Sequence, residues 1–136
     1  MVTATQAIFP WKEAYSVGIP QIDEQHKRLI GLINGLHAAM MQKTGNQALS
    51  SIFADLIRYT KEHFAFEEKM LAARSYSALA AHKAEHLDLT RQVVELRDNF
   101  QAGKLMMTLD VMRFLKRWLA SHILEKDLMY AKELNR

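Results

Sequence analysis

The sequence predicts an all-α protein, an up-down-up-down antiparallel four-helix bundle preceded by an N-terminal arm. Three observations carry this. Apolar residues recur at alternating intervals of three and four along four long segments, as on one face of an α-helix. The period-two alternation of strands is absent. Gly18 and Pro20, Gly45 and Gly103 fall at breaks between the segments, so the connections are short and neighbouring helices should run antiparallel.

The arm covers residues 1–19 and holds WKEAYSVG. The first helix is expected over about 20–42, opened by Pro20, which suits a first helical turn. Its seam is Ile22, His26, Leu29, Ile33, Leu36 and Met40. After the turn KTGN the second helix is expected over about 47–73, with Asn46 as N-cap and a seam of Leu49, Phe53, Leu56, Thr60, His63, Glu67 and Met70. The third, about 78–102, opens after Ser77 and closes before Gly103, presenting Leu79, His82, His86, Leu89, Val93, Leu96 and Phe100. The fourth, about 109–132, follows Thr108 and presents Val111, Leu115, Trp118 and His122. At this length, with 49% hydrophobic residues, residues 1–136 read as one domain.

Composition narrows the chemistry. Without cysteine there is no disulfide, thiolate metal site or cysteine nucleophile, so any metal must be held by nitrogen and oxygen. A net charge of +3, spread along the chain, gives no reason to expect nucleic acid. No stretch of 18 apolar residues suggests a membrane span, and MVTATQAIFPWKEAYS lacks a basic start followed by a long apolar run. The expectation is a cytoplasmic protein.

Each seam turns polar at one level: His26, then His63 with Glu67, then His82 with His86, then His122. These positions lie near the start of the first and third helices and near the end of the second and fourth. Antiparallel packing therefore brings them to one end of the bundle at similar depth. Buried without partners, such groups would cost about 1–3 kcal/mol each, and a metal is their natural partner. The i, i+4 pairs share a helix face and can point at one ion or at two adjacent ions. A single histidine on an apolar face is usually a hydrogen-bonded core residue, but five on four seams at one level are not explained that way. His37 is the control. It lies on nearly the same face as His26 but about 16 Å further along the axis, and reads as structural or surface.

The segments WKEAYSVGIPQIDEQH, HFAFEE, HKAEH and HILEKD are each specific in residues, order and interval, and together they span nearly the whole chain. In them the sequence resembles the hemerythrins, in particular the single-domain bacterial members called bacteriohemerythrins. The resemblance implies the metal ligands His26, His63, Glu67, His82, His86, His122 and Asp127, all present here. It implies two non-haem iron ions bridged by Glu67, Asp127 and an oxygen atom, with His82, His86 and His122 on one iron and His26 and His63 on the other. Asp127 follows from the resemblance rather than the helical wheel. Five residues after His122 is about 140° around an ideal helix, and Glu125 would face the core more directly. A local widening of the helix, such as a one-turn π-bulge, would reconcile the two.

Two six-coordinate irons offer about twelve positions. The implied ligands and bridges fill all but one, which falls on the iron held by His26 and His63. The function implied is reversible dioxygen binding for oxygen carriage, storage or delivery, not an enzyme activity, with an oxygen-consuming protein as a further partner. The alternatives are a di-iron redox enzyme acting on peroxide or nitric oxide, an oxygen sensor, and a structural metal site. Trp118, Leu119, Ile123 and Phe66 are expected to form a dry shell around the centre.

Overall fold

The computed structural model describes residues 7–135; residues 1–6 of the expected arm, and Arg136, lie outside the described residues. The chain forms a four-helix bundle. Helix α1 spans Pro20–Met41, α2 Asn46–Ala73, α3 Leu79–Gln101 and α4 Leu109–His122. The last of these continues through a π-helical segment, Ile123–Asp127, into α5, Leu128–Leu134. There is no strand among the described residues.

Local chemistry sets the boundaries. Pro20 occupies the first turn of α1, as expected. Asn46 is not the N-cap of α2; that position belongs to Gly45, at φ 98°, a conformation that glycine adopts without steric cost. Thr108 caps α4, its side chain accepting from the Val111 amide. Helices α1, α2 and α3 close with the same paired backbone bonds, for example Lys43 N–H to Met40 O and Thr44 N–H to Ala39 O. This motif needs a left-handed residue, supplied by Lys43, Ser75 and Gly103 in turn. The fourth helical segment reaches Leu134, two residues beyond the expected end.

The arm is tied along α1. Phe9 is fully buried, and its amide and carbonyl both pair with the side chain of Asn34 at 2.9 Å. A 3-10 turn, Glu13–Tyr15, leads to Ser16 and Val17, whose hydroxyl and amide both donate to the Asp23 carboxylate. Gly18, at φ 74°, sits where an added Cβ would come within 2.9 Å of Asn135 Nδ2.

Two apolar clusters divide the interior. The larger holds Leu29, Ile33, Phe53, Leu56, Val93 and Leu115 along the bundle. The smaller, at one end, holds Val17, Ile22, Leu71, Tyr76, Tyr130 and Ala131. Along α1 the order is Ile22 in the small cluster, then His26, then Leu29 in the large one. Along α2 it is Leu56, His63, Glu67, Leu71. The polar layer therefore lies between two apolar layers, away from water on both sides.

Candidate metal centre

His26, His63, Glu67, His82, His86, His122 and Asp127 all occupy this layer, and none is more than 4% exposed. They form two overlapping groups whose ligand atoms lie within 4.8 Å of one another. One is His82, His86, His122, Glu67 and Asp127; the other is His26, His63, Glu67 and Asp127. The two carboxylates are common to both.

How they are shared is visible atom by atom. Glu67 Oε1 lies 2.8 Å from His82 Nε2 and 2.9 Å from His86 Nε2, while its Oε2 faces His63 Nε2 at 3.5 Å and His26 Nε2 at 3.9 Å. Asp127 does the same, with Oδ1 3.1 Å from both His82 and His122 Nε2, and Oδ2 3.0 Å from His26 Nε2. Each carboxylate thus turns one oxygen to the three-histidine side and the other to the two-histidine side.

The π-segment puts Asp127 there. In a π turn the hydrogen bond runs from i+5 to i, as in Leu128 N–H to Ile123 O, so residues five apart stack one turn above the other. Asp127 accordingly lies over His122 and is fully buried, while Glu125 faces solvent. His37 is half-buried and outside both groups. Thr60, the remaining polar seam residue, is satisfied by its own helix, donating to Leu56 O at 2.7 Å.

Electrostatics keep the two carboxylates ionised although they are buried side by side. For Glu67, burial and the Asp127 charge favour protonation, but His82, His86 and His63 outweigh them and hold its pKa down at about 2. Asp127 is likewise held well below the usual carboxylate range: burial opposes this, but His122, His26 and His82 prevail. Burial drives His63 down to about 4. Burial acts the same way on His82, but hydrogen bonds and charge from Asp127 and Glu67 carry it up to about 9.

The residues fit a cation. Nε2 of His26, His63, His86 and His122 and both oxygens of Asp127 are buried without a hydrogen bond. Several approach one another to about 3 Å without hydrogen-bond alignment, as lone pairs aimed at a common point do. All donors are imidazole nitrogen or carboxylate oxygen, a set suited to iron or another divalent transition ion.

Residues that periodicity did not single out complete the surroundings. Tyr130, fully buried, donates its hydroxyl to Glu67 Oε2 at 2.9 Å. Burial, then the charges of Glu67 and Asp127, push its ionisation far above the ordinary tyrosine range, so it stays a donor. Gln25 accepts from His63 Nδ1 at 2.6 Å and Glu68 from His86 Nδ1 at 2.7 Å. The expected shell needs one correction: Phe66 is 39% exposed, and the aromatic ring against the site histidines is Phe64. Phe64 makes ring contacts with His63, His86 and His122. Leu119, Ile123 and Trp118 are buried, and the Trp118 indole N–H is fixed to Leu89 O at 3.0 Å. Tyr130 alone left a trace in the sequence, three residues and so nearly one turn beyond Asp127.

A four-helix bundle with a buried histidine and carboxylate layer able to hold cations is the class that fold and site define. The hemerythrin HHE cation binding domain matches residues 17–134, and the chain belongs to this family. It is 36% identical over 130 residues to a bacteriohemerythrin of Stenotrophomonas maltophilia, covering 94% of this chain and 82% of that protein. It is 38% identical over 120 residues to a bacteriohemerythrin of Pseudomonas aeruginosa, covering 88% and 77%. A solved wild-type hemerythrin superposes with a TM-score of 0.86 at 30% identity, covering 96% of this chain and all of that one. No described helix is long and apolar enough to cross a membrane.

Proposed function

We propose that this protein binds dioxygen reversibly at a non-haem di-iron centre, as a carrier or store. His82, His86 and His122 would hold one iron, His26 and His63 the other, with Glu67 and Asp127 spanning both. The observation that carries the reading is the division of each carboxylate's two oxygens between the two histidine sets. A mononuclear site has no use for that division. When bound, the iron pair would supply and recover the two electrons that reversible oxygen binding exchanges. The rest is the chain's own work. The count of donors leaves the two-histidine side less filled than the three-histidine side, which gives one small ligand a place. Tyr130 holds Glu67 by its Oε2 and keeps that carboxylate from turning. Apolar layers above and below withhold water and protons from the ligand, favouring its release unchanged.

The test is a spectrum of iron-loaded protein reduced without air, exposed to oxygen and degassed again, alongside iron analysis. Two irons per chain and a charge-transfer band that appears and then disappears are expected. One metal per chain, or a band that forms once and cannot be reversed, would overturn the reading.

A further inference from the structure

The outer nitrogens of the site histidines are treated differently on the two sides. On the three-histidine side, His86 Nδ1–H donates to the Glu68 carboxylate at 2.7 Å, while His122 Nδ1 makes no hydrogen bond and has the Glu85 carboxylate 3.8 Å away. On the two-histidine side the corresponding partner is a neutral amide, Gln25 Oε1 at 2.6 Å from His63 Nδ1, and His26 Nδ1 is buried without a hydrogen bond. An anionic acceptor behind an imidazole raises the basicity of the metal-facing nitrogen and so tightens the metal; a neutral acceptor orients the ring with much less of that effect.

We infer that Glu68 is a positioning residue whose charge, set against the neutral Gln25, makes the three-histidine position the tighter of two unequal metal sites. This rests on the dinuclear reading above. Glu68 is partly exposed, its side chain 27% accessible, and its hydrogen bond points inward to His86. It stands next to Glu67 in sequence, so one turn of α2 delivers a shared carboxylate to the metals and a charged acceptor to His86. The two-histidine position, with fewer donors and no anionic support, is the one from which metal should leave first.

The experiment uses full-length protein loaded with cobalt(II) and titrated with a chelator, read from the cobalt d–d bands. In the unmodified protein two metals should leave in two separated steps. Glu68→Gln keeps an acceptor for His86 Nδ1 and removes only the charge. It should weaken the tighter step by about 10- to 100-fold, leave the other unchanged, and so draw the steps together. Gln25→Glu should draw them together from the opposite side, by tightening the weaker step. If Glu68→Gln leaves both steps in place, or if only Glu68→Ala shifts them, charge is not the agent and the inference fails. If the unmodified protein takes up fewer than two cobalt ions, the dinuclear reading itself fails, whatever the variants do.

Discussion

The rings of Phe64 and His86 stack face to face, with centroids 3.8 Å apart and planes 5° from parallel. His86 is thereby held from two directions, by this contact and by Glu68 at its outer nitrogen. Phe64→Leu keeps an apolar side chain but removes the ring. It should lower stability by about 1 kcal/mol beyond the loss of buried area, measured by denaturant unfolding, with both metals retained. The exposed Phe66 is the contrast: the same change, Phe66→Leu, should alter stability by less than about 0.5 kcal/mol. Equal effects would mean that the stacking adds nothing to burial.

The π-segment makes a sharp distinction between two acidic residues in one short stretch. Asp127→Ala should reduce bound metal from two ions to one or fewer, since it removes an oxygen from each histidine set. Glu125→Ala, on the solvent face, should leave metal content and unfolding unchanged. Metal analysis of both variants after loading under one set of conditions decides the matter, and the reverse pattern would contradict the placement of Asp127.

Depth along α1 can be tested in the same way with two histidines. His26→Ala should lose the metal on the two-histidine side, leaving about one ion per chain. His37→Ala should keep both ions. Matching losses would mean that axial level does not select the ligands.

Much of this site was legible because histidine and glutamate interrupt otherwise apolar seams, and because antiparallel helices convert interruptions near opposite helix ends into one layer. His26, His63, Glu67, His82, His86 and His122 follow from that logic. Asp127 does not, because the wheel assumes 3.6 residues per turn and the chain departs from that over Ile123–Asp127; the family resemblance supplied it. Gln25 and Glu68 were hidden for another reason. They act on the outer edge of the rings, from helix positions next to ligands, where a polar residue looks like ordinary surface. Phe64 and Phe66 are both apolar and both near ligands, and only their burial separates them.

Tyr130 offers a test of support without coordination. Tyr130→Phe removes the hydroxyl that donates to Glu67 Oε2 and preserves the ring among Tyr76 and His82. Stability of the metal-free protein should fall by about 1–3 kcal/mol, the cost of a buried charged acceptor losing a partner. The metal-loaded protein should lose less, since a cation also satisfies that oxygen. An equal loss in both forms, by thermal or denaturant unfolding, would show that the hydroxyl serves packing alone.

The unequal size of the two apolar layers bears on how an ion could reach a site with no wide entrance. Parts of a fold that bury little apolar surface open locally and often, while the main core stays closed. Here half of the thin layer comes from the arm and α5, which are fastened by side-chain bonds such as Asn135 Nδ2 to Val17 O and the Ser77 amide to Glu133. Brief fraying of that end would expose the ligands and leave Leu29, Leu56 and Leu115 packed. Amide hydrogen exchange should then be faster over 128–134 than over the middle of α1 and α2 in metal-free protein, and should slow over 128–134 when metal binds. Metal capture would become a kinetic gate, in which the same fluctuation that admits an ion is suppressed by its arrival.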